Sequence, residues 1–349
     1  MKKLKPISIL LTAIILVMSL VGCGGKKEDI QTSQESSGKK QKIAMICSAG
    51  GLGDRSYNDS GYSGLRKAER DLDVEIKVVE PKDISEGEKY LTELAKSGYN
   101  LIITLEYGHA EILDKVAPQF PETRFSIFNI SVNQPNVTSV IFKEHEGSYL
   151  AGALAAMASK DTKIKGMNDK KVLGFIGGAD SPGINKFLEG YKEGAKLIDK
   201  DMKVISGYAN AFGDPGKGKE MALSQIEQGA DVVYQVAGGT GEGVINAAKD
   251  KGVFAIGVDS DQDYIAQGYV LTSMMKRTDV AVYNIIKSLK ENKIKDSNTM
   301  ELGLKEEGVQ LSPMKFTKDK IPAEYLKKIE EIKKDIIAGK IKVTDITQK

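Results

Sequence analysis

Tryptophan is absent from the 349 residues, and cysteine and histidine occur only twice each. Two cysteines cannot build a disulfide framework, and the four residues together leave too few ligands for a structural zinc site. Charge of either sign is not in excess: 50 Lys and Arg stand against 48 Asp and Glu, a formal +2. Three of the positives, Lys2, Lys3 and Lys5, lie in an acid-free stretch of 22 residues, and the remainder of the chain carries −1. Without a basic excess the chain is not expected to bind nucleic acid. What it has in quantity is glycine, 36 residues, which implies many tight turns and backbone that approaches a ligand closely. A hydrophobic share of 41% with 28% charged residues excludes global disorder, and the length suits two or three lobes.

The first residues read Met-Lys-Lys-Leu-Lys, then an apolar run from Ile7 to Leu20, then Val21-Gly22-Cys23. That run is short for a membrane span of about 20 residues and has the form of a secretory signal, here 1–22. A small residue before Cys23 resembles a bacterial lipobox, in which Cys23 is lipidated and becomes the mature N-terminus. A signal anchor with a chance cysteine is the alternative. Residues 23–41, rich in Lys, Ser and Gln, form a solvated tether. The expected location is therefore the extracytoplasmic face of the cell membrane. Cys47, left without a partner, is expected as a small buried hydrophobe in a strand.

From Ile43 onward, short β-branched runs alternate with stretches at helical spacing. The expected strands are 43–47, 74–79, 101–105, 125–130 and 137–142, then 172–176, 204–207, 232–235, 254–258 and 270–274. Continuous apolar strands between helices indicate parallel sheets covered on both faces. Two runs of five predict an α/β protein of two doubly wound lobes joined by a hinge. The boundaries expected are 42–145 plus 276–294 for lobe 1, and 146–275 plus 295–349 for lobe 2.

Ligands of such sheets bind beyond the carboxyl ends of the strands, so the residues there matter most. Tyr57 and Phe212 follow strands in opposite lobes, where they could sandwich a planar base or simply pack under their own loops. Asp259 could accept protons from two vicinal hydroxyls or cap a helix. Lys276 could donate to a sugar oxygen or be a solvated hinge lysine; Gly238 and Gly239 could admit a sugar to the backbone or only form a turn.

The strings Gly53-Asp54-Arg55-Ser56-Tyr57-Asn58, Glu144-His145-Glu146-Gly147-Ser148-Tyr149-Leu150-Ala151-Gly152 and Gly257-Val258-Asp259-Ser260-Asp261-Gln262 resemble those of the basic membrane protein family. The likeness runs from about residue 42 to the end. These lipoproteins are purine-nucleoside receptors of ABC transporters, so the resemblance implies a fold like that of type I periplasmic binding proteins. It implies a nucleoside ligand, an ABC permease as partner, a lipid-anchored monomer, no cofactor and no enzymatic activity. Tyr57 and Asn58 would address the base, Phe212 would stack on it, and Asp259, Gly238, Gly239 and Lys276 would hold the ribose. The family places aspartates where this chain has Ser48 and Asn129, so the preferred base is open. A small-molecule sensor or a sugar-binding lipoprotein of the same fold are the rival readings.

Enzyme motifs fail on inspection. Gly213 to Lys219 nearly spells a phosphate loop, but Glu220 stands where Ser or Thr is required. A calcium-loop reading of Asp259 to Asp263 fails because Tyr264 occupies the glycine position. His109 and His145 have no evident catalytic partner, and His145, opening a helix, is expected to be exposed. Residues 323–340 read as an amphipathic surface helix.

Overall fold

The computed structural model describes residues 40–348; the signal 1–22, Cys23 and nearly all of the tether lie outside the described residues. Lobe 1 opens with β1 (Lys42–Ile46), α1 (Tyr57–Leu72), β2 (Glu75–Val79), α2 (Gly87–Lys96) and β3 (Leu101–Thr104). It continues through α3 (Ala110–Val116), β4 (Arg124–Phe128) and β5 (Val137–Phe142). Lobe 2 has α4 (Glu144–Lys160), β6 (Val172–Gly177), α5 (Pro182–Ile198), β7 (Lys203–Tyr208), α6 (Pro215–Glu227) and β8 (Ala230–Val236). Next come α7 (Thr240–Lys251), β9 (Phe254–Asp259) and β10 (Val270–Lys276). The chain closes with α8 (Thr278–Lys290), β11 (Asn298–Leu302), β12 (Val309–Leu311) and α9 (Ala323–Ile337).

Two six-stranded sheets result, ordered β11-β5-β4-β3-β1-β2 and β12-β10-β9-β8-β6-β7. Every pairing is parallel except β10 with β12. The central strands are buried on both faces, as β3 and β8 show along their whole length, which is what helices on both sides of a sheet require. In both lobes the order reverses between the first and third strands. The crevice beyond β1 and β3, and its counterpart beyond β6 and β8, are therefore the switch points at which such sheets bind ligands.

The lobes exchange helices. α4 follows β5 yet packs on α5, and α8 follows β10 yet packs on α1. α4 is apolar almost all round and buried along nearly its whole length, as a helix enclosed by its neighbours must be. A Cβ on Gly152 would lie 2.0 Å from the Tyr191 carbonyl oxygen, and one on Gly194 1.9 Å from that of Tyr149. Glycine at these positions is what lets α4 and α5 approach so closely.

Two expectations need correction. The strand Asn298–Leu302 pairs with β5, so the chain stays in lobe 1 past residue 295 and crosses back only before β12. Both added strands lie at sheet edges, are short and carry polar residues, and so lack the apolar run of the other ten. His145 is buried, at 5% exposure, because α4 is enclosed on the side where solvent was expected. α9 is amphipathic as expected, burying Ile329, Ile332 and Ile336. Cys47 is buried, and burial pushes its thiol up to about 12, so it is held as an inert thiol.

Candidate functional site

The loop after β1 is organised by Asp54. Its buried carboxylate accepts from the backbone N–H groups of Ser56, Asn58 and Asp59 at 2.9, 2.9 and 3.1 Å, and from Asn58 Nδ2 at 3.1 Å. An anion at the N-terminus of α1 is favoured by the unpaired amides there. Burial pushes this carboxyl up, and the amides of Asn58, Ser56 and Asp59 pull it back. Asn58 Oδ1 in turn accepts from the Ser48 N–H at 2.9 Å and its hydroxyl at 3.2 Å. Ser48 and Asn58, both expected at the base, thus clasp each other, and Asn58 is buried.

Tyr57 is fixed from two sides. Its hydroxyl donates to the Leu105 carbonyl at 3.2 Å and accepts from Asn129 Nδ2 at 2.9 Å. One face of the ring carries the Lys276 ammonium, 4.5 Å from its centroid. Lys276 is 5% exposed, not solvated, and donates to Asn129 Oδ1 at 3.1 Å and Glu144 Oε1 at 3.3 Å. Tyr57, Asn129 and Lys276 therefore form one connected wall. Burial, with Asp259 and Glu106 nearby, raises the Tyr57 phenol well above its ordinary range, so it stays neutral.

Across the cleft Phe212 is half-buried. Its ring lies where a Cβ on Gly178 would come within 2.2 Å of it, and its carbonyl accepts from the Thr240 N–H at 3.2 Å. A Cβ on Gly50, from lobe 1, would sit 3.4 Å from the same carbonyl oxygen, so the lobes meet here. Gly238 has φ +56°, and its Cβ would lie 3.2 Å from that oxygen, so both backbone and space favour glycine. Gly239 lies against the same carbonyl. Among the described residues the Tyr57 and Phe212 rings are not paired with each other.

Asp259 ends β9 with φ +64° and is 7% exposed. Its Oδ2 accepts from the Ser56 hydroxyl at 2.5 Å across the cleft. Ser260 returns the contact by donating to the Ser56 carbonyl at 3.2 Å, and Gln262 Nε2 donates to the Arg55 carbonyl at 3.0 Å. Burial raises the Asp259 carboxyl to about 6, against the opposing pull of Lys276 and Ser56. A carboxylate this costly to ionise is one that hydroxyl donors stabilise strongly. A cavity of about 250 Å³ opens beside Asp259, lined among others by Arg55, Ser60, Tyr264 and Arg277. Neither Tyr57, Phe212 nor Lys276 lines it, so it is an annex to the strand-end site.

Behind this site the crossing segments meet in a buried ion cluster. Glu144 lies between Lys276 and Lys186, whose Nζ atoms are 3.3 and 2.9 Å from its oxygens. Lys186 also donates to the Phe142 carbonyl at 2.7 Å and lies 3.7 Å from Asp345, which is 3.8 Å from His145 Nδ1. Burial opposes charge on both Glu144 and Lys186. The flanking lysines nonetheless hold Glu144 below its usual range, and Glu144 with Asp345 raises Lys186.

The structure thus brings Tyr57, Asn129 and Lys276 together, sets Asp259 against lobe 1, and seats Phe212 against Gly178 and beside Gly238 and Gly239. It turns Ser48 and Asn58 toward each other. Ser56, Gln262 and Glu144 were missed by sequence reasoning. Ser56 lies inside the Asp-Arg-Ser-Tyr-Asn string, which was its one available signal.

No helix among the described residues is long and apolar enough to cross a membrane. A family model described as ABC transporter substrate-binding protein PnrA-like matches residues 40–347. The CD4+ T-cell-stimulating antigen of Listeria innocua is 31% identical over 368 residues, covering 99% of this chain and 99% of its own. The ABC transporter nucleoside-binding protein BmpA of Lactococcus lactis is 32% identical, over 98% of this chain and 99% of that one. An ABC transporter solute-binding protein from Aeropyrum pernix superposes with a TM-score of 0.79 at 30% identity, covering 86% of this chain and 92% of that one. Two hinged lobes of this topology have the fold of type I periplasmic binding proteins. With that fold and this coverage, the chain belongs to the PnrA-like, or basic membrane protein, family of ABC transporter substrate-binding proteins, which bind a small molecule for a transporter and catalyse no reaction.

Proposed function

We propose that this chain is a lipid-anchored receptor on the extracytoplasmic face that captures a purine nucleoside between its lobes and delivers it to an ABC importer. The observation that carries the reading is Asp259, a buried acid of lobe 2 that already accepts a hydroxyl proton from Ser56 of lobe 1. Vicinal ribose hydroxyls offer the same chemistry twice, so they can take the place of Ser56 on that carboxylate. Lys276 supplies a cationic donor whose charge already acts on that carboxylate, and Gly238 lets backbone come close. Phe212 supplies a π-face for a base. The nucleoside-binding relative from Lactococcus lactis, similar along nearly its whole length, supports the same ligand class. Cys23, at the end of the signal segment, supplies the anchor.

The work done is conformational. A ligand that contacts both lobes binds the closed arrangement better than the open one, and only that difference drives closure. No bond is made or broken. Native mass spectrometry of unwashed protein, followed by calorimetry with nucleosides, free bases and sugars, tests the reading. A purine nucleoside should be released. A ligand without ultraviolet absorbance, or a hexose that binds better than any nucleoside, overturns it.

A further inference from the structure

We infer that Glu106 selects the base, accepting hydrogen bonds from the donor edge of guanine, so that guanosine is preferred over inosine and inosine over adenosine. This rests on the nucleoside reading above and adds the residue that decides among purines. Glu106 lies two residues beyond β3 and Ser48 two beyond β1, so the two flank the switch-point crevice of lobe 1. The side chain is 8% exposed. Its Oε1 accepts from the Gly108 N–H at 3.0 Å and its Oε2 from the Ala49 N–H at 3.3 Å, next to Ser48. An ionised carboxylate has about four acceptor positions, so about half of its capacity is left over in a poorly hydrated place. Each oxygen already accepts one bond, and the remaining positions can take donors from a ligand.

The neighbouring polar groups are already committed. Asp54 holds the start of α1 with four bonds, and Asp59, which accepts from the Gly53 and Arg55 amides, is only half-buried, so water can fill its remaining positions. Glu80, which accepts from the Leu52 amide, is exposed. The Ser48 hydroxyl donates to Asn58, while Asn129 is shared between Tyr57 and Lys276. Glu106 is the buried carboxylate of this edge with acceptor positions to spare. It is also close enough to Tyr57 for its charge to act on the phenol. Opposite, the switch point of lobe 2 offers glycine and the Phe212 ring, which recognise a flat surface without reading its edge.

Purine chemistry then sets the order. Guanine presents N1–H and an exocyclic amine side by side, matching the two oxygens of a carboxylate. Hypoxanthine keeps N1–H alone. Adenine turns an N1 lone pair toward the acid and keeps only its amine.

Calorimetry on the full chain in detergent, with guanosine, 1-methylguanosine, inosine and adenosine, tests this. Wild type should bind guanosine most tightly, and methylation of N1 should cost about ten- to a hundredfold, the range for a bond to a charged group. Glu106→Gln should lower guanosine affinity by a similar factor and leave adenosine within about threefold, compressing the series. Adenosine binding tightest to wild type, or 1-methylguanosine binding as well as guanosine, overturns the assignment even if the variant does not fold. Equal losses for all four ligands in Glu106→Gln, with a lower Tm, also overturn it by making Glu106 a loop clasp. If wild type binds no nucleoside at all, the functional reading fails and this inference fails with it. Binding of all four without order removes Glu106 alone.

Discussion

The strand ends of lobe 1 carry Ser48, Glu106 and Asn129, whereas the corresponding ends of lobe 2 carry Gly178, Gly238 and Asp259. The backbones are alike: Asn129, just beyond β4, and Asp259, the last residue of β9, both have positive φ, 67° and 64°. Asn and Asp tolerate that conformation better than most residues, which explains the residue type but not the difference in chemistry. In lobe 1 the polar groups are cross-linked through Asn58, Tyr57 and Asn129, and Lys276 from the end of β10 ties onto them, before any ligand arrives. In lobe 2 the glycines leave room for Phe212, and Asp259 reaches across to Ser56. Labour is thereby divided between a wall of fixed geometry and an opposing face that closes on it. Substitutions of Asp54 or Asn58 should disturb the lobe 1 loop they hold, while substitutions of Asp259 or Phe212 on lobe 2 should cost affinity with little loss of fold.

The largest effect is expected where the lobes join. Lys186→Met would leave Glu144 buried without its partner at 2.9 Å and free the Phe142 carbonyl of its bond. Breaking one side of a buried pair costs about 3–5 kcal/mol, and denaturant unfolding should show a loss of that size. A variant as stable as wild type would mean that the cluster does not hold the crossing segments together.

Asp259→Ala comes next. Each bond lost to an ionised acceptor is worth about 1.5–3 kcal/mol, and ribose would make two. Wild type should prefer a ribonucleoside over its 2′-deoxy analogue, and the variant should lose most of that preference while keeping its Tm. An intact preference would dissolve the contrast between the lobes at its most polar point. The pH dependence follows from the same carboxyl, raised by burial to about 6 from an unfolded value near 4. The folded protein binds this proton more tightly than the unfolded chain does. Its contribution to stability is therefore full below about pH 4 and lost as pH rises through about 6. Asp231 and Asp263, also raised by burial to about 6, share that slope, so stability alone does not isolate Asp259. Affinity does: ribonucleoside binding should weaken below about pH 6, and the 2′-deoxy analogue should follow less steeply.

The ten expected strands were legible, the edge strands β2 and β7 among them, because β-branched runs flanked by helical spacing admit little else. β11 and β12 were not, since Asn-Thr-Met-Glu-Leu and Val-Gln-Leu at a sheet edge need no apolar run. Asp259, Tyr57 and Lys276 stood out by their place after strands. Their partners did not, because the bond between Ser56 and Asp259 joins residues 203 apart and no local pattern encodes it. Asn58 misled for the opposite reason: it lies in the most recognisable string of the chain, yet its amide is bound within that loop. His145 misled because the start of a helix is usually wet, and here α4 and the tail at Asp345 enclose it.

The smallest effect, and the sharpest on lobe 2, is expected at Phe212. Its side chain is half-buried, and the bond its carbonyl takes from Thr240 survives truncation. Phe212→Ala should therefore cost little stability. If the ring stacks on a base, the variant loses about 1–3 kcal/mol of binding, or roughly five- to 150-fold in Kd. Gly178→Ala supplies the matching test, because its new methyl would displace the ring without removing it. Both variants should weaken guanosine and adenosine by the same factor, since a π-face does not read the base edge. A drop in Tm with unchanged affinity would instead make Phe212 the cover of its own loop. A loss that differs between the two purines would move base selection from lobe 1 to lobe 2.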